Sequence, residues 1–458
     1  MKLRPDQVTF HPRSHADPTS RVFFWEGNLY RGVSRSQAAF FLDLFTRRII
    51  QDLIERKLII GTELTNLELD GYPLVLKHDT VPFVSYCFEW CGEMLKAAAL
   101  FVLHFERNLR PHGLTLRDGH PWNVLFIGPS PIWVDIGSLM TAGDHELRWG
   151  AKGQFDSYFT RSLKIMAAGH PRIAHLLLQD RYVGILQSEA DAIIGIRSAK
   201  QISEKLIPSR LRPALRSAVK SVRATMTLRG TNNAPKYLRS GLREIERIRL
   251  PRPVTTWSHR DSAEFPAFTT TENWTPKHRT LSEIITRAKP GSVLDVGSHR
   301  GWYSQLAARE GASVVSFDVD EPSVTKQFHD ASAHRLHILP VLMDIRKTIP
   351  GMQPSTIPIA AVDRFRCDMV LALALVHDLF FKQAMDFETI VSVLTAFARR
   401  WLVVEFIGTE DPSVREFLGE RIEWYDLDKF TSVLKSKYRQ VTQFPSDDVH
   451  RWVLFCEK

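Results

Sequence analysis

The possible folds of this chain narrow sharply at Ser292 to Asp320, SVLDVGSHRGWYSQLAAREGASVVSFDVD. Val293-Leu294-Asp295-Val296 is too short for a helix and rich in β-branched residues, so it reads as a buried strand. The run breaks at Gly297-Ser298-His299-Arg300-Gly301, after which Trp302 to Glu310 has helical composition up to a capping Gly311. A second strand, Ser313 to Phe317, ends in Asp318-Val319-Asp320. A β-loop-α-β unit with two glycines in its first turn and a carboxylate about 20 residues on is what a nucleoside-binding crossover requires. Glycine lets backbone approach a ligand closely, and the acid accepts hydrogen bonds from ribose hydroxyls, a task that falls to Asp318 ahead of Asp320.

Glycine spacing separates the candidate ligands. A dinucleotide fingerprint is G-x-G-x-x-G; here Asp295-x-Gly297-x-x-x-Gly301 lacks the third glycine. The pattern resembles motif I of class I S-adenosylmethionine (SAM) dependent methyltransferases, whose ligand has an amino-acid tail in place of a pyrophosphate. Around it, strands and helices alternate. A helix over Thr280 to Ala288 precedes the first strand, and helices follow at Val324 to Arg335, Phe387 to Arg399 and Leu427 to Tyr438. Strands lie at Leu336 to Leu342, Arg366 to Leu375, Trp401 to Phe406, Val441 to Phe444 and Trp452 to Cys456, the last pair antiparallel. That order predicts an α/β Rossmann-like doubly wound sheet.

At 458 residues, the chain suggests two or three domains, and 44% apolar with 24% charged content fits a soluble globular protein. No apolar run is long enough for a membrane span, and the N-terminus lacks a signal-peptide core. Cys87, Cys91, Cys367 and Cys456 have neither metal-ligand spacing nor disulfide density, which points to a reducing, cytoplasmic setting. The net charge of +9 is unevenly placed. Lys205 to Arg252 holds 13 basic residues against two acids, a surplus of eleven that leaves about −2 for the rest. Spread every few residues and interrupted by Pro213, these bases suit solvated helices, with an RNA or acidic partner as the alternative.

The first half is informative at Leu114 to Leu139, LTLRDGHPWNVLFIGPSPIWVDIGSL. Asp118 and Asn123 are five apart in a loop, a short hairpin follows, and Asp135-Ile136-Gly137 closes it. This resembles the catalytic loop and metal-binding segment of protein kinases, with Asp118 as base and Asn123 and Asp135 as Mg²⁺ ligands beside ATP. Upstream lie a hairpin signal at Arg21 to Tyr30 and helical periodicity over Ser36 to Arg56. Strand-like runs follow at Leu58 to Ile60 and Leu74 to Leu76, then a strong helix over Glu93 to Leu109. A glycine-rich phosphate loop and a third-strand lysine are missing, and Lys77 comes too late in the order. The expectation is an α+β kinase-like domain that is not an active kinase. Boundaries fall at 1–206 for that domain, 207–254 for a basic helical linker and 255–458 for the methyltransferase-like domain.

Six segments together (WTPK at Trp274 to Lys277, VLDVGSHRGWYSQLA, FDVDE, LPVLMD, DMVLALALVHDL and WLVVEF) resemble bacterial SAM-dependent methyltransferases related to the nodulation protein NoeA. SYCFEW (Ser85 to Trp90), LTLRDGHPWNV and WVDIGS carry the same resemblance into the first half. It implies SAM as cofactor, with Asp295, Gly297, Ser298 and Gly301 at its methionine end, Asp318 on the ribose, and Asp344 with the Met343 amide at the adenine. Leu373 to His377 would sit beside the ligand crevice, and Trp302 and Tyr303 would line the pocket or pack in the core. His377 is the candidate base for a hydroxyl acceptor, and Glu405 would bind substrate or end its strand. The family carries a second histidine where this chain has Asp378. The acceptor, a saccharide or small-molecule hydroxyl in this reading, is not written in the sequence; an RNA methyltransferase using the basic linker, or a binding protein with a regulatory SAM site, are the other readings.

Overall fold

The structure is a computed structural model and describes residues 1–11, 14, 17, 19–143, 149–195, 234–255, 266–348, 359–415, 417 and 422–458. Most of the basic stretch, including Arg210, Arg212 and Arg216, lies outside the described residues.

In the first half, strands β1 (Thr9–Phe10), β2 (Ser20–Trp25) and β3 (Asn28–Val33) run antiparallel. Helices α1 (Arg35–Thr46) and α2 (Ile49–Glu55) follow, then β4 (Thr62–Leu64) and β5 (Leu74–His78). The sheet order is β1-β2-β3-β5-β4. The helix expected over Ser36 to Arg56 is broken because Arg48 takes a left-handed φ of 57°. Leu58 to Ile60 forms no strand and makes one bridge, Ile59 to Trp133. Helix α3 (Gly92–Leu109) is buried along one whole face. Beyond it come β6 (Leu114–Leu116), the hairpin β7 (Val124–Ile127) and β8 (Ser130–Trp133), and β9 (Leu139–Thr141), which pairs back on β6. Helix α4 (Ala234–Arg247), the described part of the basic stretch, buries Leu238, Leu242 and Ile245. Lys96 of α3 donates to the carbonyls of Glu246 and Ile248, which ties the end of α4 to α3.

The second half begins with α5 (Pro276–Ala288), a turn earlier than its apolar spacing suggests, because Thr275 caps it and Pro276 fits the first helical position. Then follow β10 (Ser292–Val296), α6 (Trp302–Arg309), β11 (Ser313–Asp318), α7 (Glu321–His334), β12 (Ile338–Leu342) and β13 (Cys367–Ala372). The chain ends with α8 (Phe387–Phe397), β14 (Ala398–Ile407), α9 (Leu427–Lys435), β15 (Gln440–Pro445) and β16 (Arg451–Glu457). These strands make one sheet in the order β12-β11-β10-β13-β14-β16-β15. The first five are parallel, and β16 runs antiparallel to both β14 and β15, as the sequence predicts for the last pair. Strand order reverses at β10, whose neighbours β11 and β13 lead to opposite edges, so a crevice opens at the carboxyl ends of these strands.

One apolar cluster runs through both halves, joining Trp90 and Phe126 to Phe317, Phe328 and Phe365. A buried ion pair crosses the same border: Arg364 donates to both carboxylate oxygens of Glu89, at 2.8 and 2.6 Å, and to the Val84 carbonyl at 2.7 Å. Nearby, the Gly92 amide donates to Glu321 at 3.0 Å. The β7–β8 turn meets the other half backbone to backbone, since a Cβ on Gly128 would lie 3.2 Å from the His337 Cα and the Leu336 carbonyl. The four cysteines are buried free thiols, and burial pushes their pKa values up.

Candidate functional site

The turn after β10 is built from residues forced into left-handed backbone: Gly297 at φ 69°, His299 at 51° and Gly301 at 74°. Its fit is tight. A Cβ on Gly301 would stand 2.8 Å from Gln327 Cγ, and one on Gly297 would stand 3.2 Å from Leu375. Gln327 of α7 secures the turn by donating to the Ser298 hydroxyl at 2.9 Å and the His299 carbonyl at 2.6 Å. Asp318, at the end of β11, accepts from the His299 amide at 2.7 Å with one oxygen and from the Asp320 amide at 2.9 Å with the other. Each carboxylate oxygen keeps a lone pair for a further donor. Asp320 is committed instead to capping α7, where it accepts from the Ser323 amide and hydroxyl.

Asp295 lies beneath the turn, almost fully buried, and accepts from the Ser304 hydroxyl at 2.6 Å. Burial raises its pKa to about 6, with the Ser304 bond working against the rise. Asp318 is raised as well, again chiefly by burial. At the end of β12, Asp344 is gripped by the guanidinium of Arg346, at 2.9 and 2.6 Å, so both oxygens are engaged within its own loop. The Met343 amide donates to the Asp318 carbonyl at 2.9 Å, which corrects the expectation that it is free for a nucleobase.

Strand β13 ends three residues before the predicted Leu375, because the chain turns at Ala374, a non-glycine residue at φ 49°. Leu373 is buried beside it. His377 follows at the start of a short helical turn, with Nδ1 buried and without a hydrogen-bond partner among the described residues, and Nε2 3.7 Å from Asp378. Burial lowers its pKa, opposed by the Asp378 charge. Glu405 needs correction as a candidate that meets substrate. It is wholly buried, accepting from Lys277 Nζ at 2.6 Å, the Ala374 amide at 2.9 Å and the Ser446 hydroxyl at 2.6 Å. Trp302 packs in the core, and its indole donates to the Pro266 carbonyl. The chain thus gathers Gly297, Ser298 and Gly301 in one turn closed by Asp318, with Leu375 against Gly297 and Asp295 held by Ser304, while Leu373 and His377 follow β13 and Asp344 follows β12.

A second cluster lies in the first half. Asp135 accepts from Arg31 at 2.8 Å and from the Gly137 amide at 3.2 Å. Arg31 sits on β3, the strand that leads into α1. The sequence reading missed it, because the hairpin signal it drew from Arg21 to Tyr30 stops one residue short of Arg31. Asp17, between β1 and β2, pairs with Arg117 at 3.6 Å, next to Asp118. Asn123 lends its backbone carbonyl to the Val134 amide. Lys77 pairs with Glu63 at 3.4 Å, away from Asp135. Among the described residues, no group of three or more metal-ligating side chains is gathered.

The sheet order, the reversed last strand and the acid-and-glycine turn define a doubly wound α/β domain of the class that includes class I methyltransferases. The chain is similar over nearly its whole length to nodulation protein NoeA of Rhizobium meliloti (strain 1021), with 25% identity over 461 residues, 96% of this chain and 94% of that one. No family model matches. Among solved structures, monomeric WbdD aligns at 16% identity and a TM-score of 0.30, covering 39% of this chain and 40% of that one. Magnesium protoporphyrin IX methyltransferase (ChlM) from Synechocystis PCC 6803 with bound SAH aligns at 16% and 0.29, covering 39% and 81%. The match therefore spans about two fifths of the WbdD chain. No described helix is long and apolar enough to cross a membrane.

Proposed function

We propose that the second half is a SAM-dependent methyltransferase acting on a hydroxyl acceptor, a saccharide or small molecule. The observation that carries this reading is the left-handed Gly297–Gly301 turn closed by Asp318 at the sheet's switch point. That cradle has no room for side chains at its glycines and offers carboxylate lone pairs at its rim, which suits a nucleoside with an amino-acid tail. Asp295 and the turn would hold the methionine end, Asp318 the ribose, and Leu373 the apolar wall, with Asp344 at the nucleobase if Arg346 releases it. SAM supplies an electrophilic methyl group, so the protein's task is alignment of the acceptor and removal of its proton. His377 Nδ1 has no hydrogen-bond partner among the described residues, and burial lowers its pKa, which favours the unprotonated imidazole that a general base requires.

Calorimetric titration of the full chain with SAM tests the reading. Micromolar or tighter binding, lost in Asp318→Ala, supports it; no binding by the wild type, or undiminished binding by the variant, sinks it. Labelled SAM incubated with fractionated cell extract then reads whether label enters saccharide, small molecule, protein or RNA. Label in RNA, with binding that weakens steeply with salt, would move the proposal to the basic stretch.

For the first half we propose a kinase-shaped domain without phosphoryl transfer. The support is Arg31, whose guanidinium pairs with Asp135 through Oδ1 and so offsets the charge a Mg²⁺ ion would otherwise balance, and Asp17, which pairs with Arg117 beside Asp118. Melting with and without Mg²⁺-ATP is the test: the expected result is no shift, and a stabilisation that vanishes in Asp135→Ala would restore the active-kinase reading.

A further inference from the structure

Between the crevice and the body of the second half lies a buried group of side chains that no catalytic step uses. Glu405, at 0% exposure, reaches from β14 to three elements distant in sequence. One oxygen takes the Ser446 hydroxyl at 2.6 Å; the other takes Lys277 Nζ at 2.6 Å and the Ala374 amide at 2.9 Å. Lys277 is itself 7% exposed, its amide donates to Asp447 at 3.0 Å, and its ammonium lies 5.3 Å from the centre of the Tyr303 ring. The clasp therefore joins α5, the end of β14, the loop between β15 and β16, and the turn after β13.

Ala374 is what the clasp holds. Its φ of 49° is a conformation that an L-residue with a Cβ avoids, so the turn needs an outside restraint to stay populated. Two consequences meet at the crevice. Leu375 is brought against the Gly297 turn, where a Cβ on Gly297 would stand 3.2 Å from its Cδ1. His377, three residues beyond Ala374, is carried to its buried place facing Asp378.

We infer that Lys277 and Glu405 are positioning residues: Glu405 holds the Ala374 amide so that the turn after β13 forms one wall of the SAM crevice and aims His377, and Lys277 neutralises the buried carboxylate. The inference rests on the proposed SAM reading for its ligand, but the clasp acts on the backbone and can be read without ligand. Glu405 does not meet the substrate, so its charge is dispensable once Lys277 is also neutral, whereas its acceptor oxygen is not.

Three full-length variants decide this. Lys277→Met/Glu405→Gln keeps an acceptor for Ala374 and removes both charges; it should bind SAM within about threefold of wild type. Lys277→Met/Glu405→Ala removes the acceptor; SAM should bind at least about tenfold more weakly, and the Ala374 amide should exchange with deuterium faster. Adding Ala374→Gly to that pair relieves the left-handed strain and should restore part of the affinity. Binding at wild-type strength by the Ala pair, or a folded Gln pair as weak as the Ala pair, overturns the inference. Should the Ala pair not fold, exchange in the wild type still decides: the inference requires a strongly protected Ala374 amide, and rapid exchange refutes it. A wild type that binds no SAM defeats the proposed function, while the exchange result continues to judge the clasp.

Discussion

The Arg364–Glu89 pair offers the sharpest test of how the halves depend on one another. Both side chains are nearly inaccessible, at 1% and 3% exposure. Arg364 also donates to the Val84 and Ile359 carbonyls, and its guanidinium stacks 4.3 Å from the Tyr86 ring centre. Truncating Arg364 to Met leaves the Glu89 carboxylate buried, with the Tyr86 amide at 2.8 Å as its remaining partner among the described residues. Removing one member of such a pair costs about 3–5 kcal/mol, because the other charge stays out of water. For a chain of 458 residues that unfolds as one unit, about 4 kcal/mol lowers Tm by about 4 °C. Glu89→Leu should do the same. The double variant should recover most of the loss, since an apolar pair of similar volume removes both desolvation terms. Calorimetric melting of the four proteins gives the answer. As a control, Asp70→Ala breaks a pair to Lys2 that is more than half exposed, and it should change stability by no more than about 1 kcal/mol. Either single variant within about 1 kcal/mol of wild type, or a double variant equal to the sum of the singles, would refute the reasoning.

Three further outcomes are expected. Asp295 has a folded pKa of about 6, above its unfolded value, so folding favours its protonated form. Its contribution to stability is then fullest below about pH 4 and is lost as pH rises through about 6; Asp295→Asn should raise urea-unfolding stability at pH 7.5 by about 1–3 kcal/mol, flatten that dependence and weaken SAM binding. Gly301→Ala places a methyl 2.8 Å from Gln327 at a φ of 74°, and should cost about 1–3 kcal/mol in denaturant unfolding and abolish SAM binding in calorimetry. With the His377 pKa below its ordinary value of 6.5, methyl transfer should hold its plateau to pH values under 6.5, and His377→Gln should remove the acid limb along with most of kcat in an initial-rate pH profile.

The second half was legible because its signals are local. Val293 to Val296 and Ser313 to Asp318 carry their apolar pattern within a few residues, and the glycine spacing reports the turn directly. Asp344 shows what a short-range reading overlooks even when the partner is near: the D-x-R spacing to Arg346 is on the page, but geometry was needed to show both oxygens held. Glu405 and Lys277 are 128 residues apart, and no periodicity reports that their charges meet in the interior. Arg31 was hidden differently, since the hairpin pattern stops at Tyr30 and nothing local reports that the next residue reaches Asp135, 104 positions later.

The border at Gly128, where backbone meets backbone, also sets a timetable. The ribosome releases Glu89 long before Arg364, which lies 275 residues further on. At ribosomal rates of about 5–20 residues per second that interval is on the order of 15–50 s. Throughout it, the first half must carry an unpaired carboxylate and an uncovered aromatic face around Phe126, with no His337 backbone yet made to close over the hairpin turn. The first half thus waits on the second for the cover of that face and for the partner of Glu89.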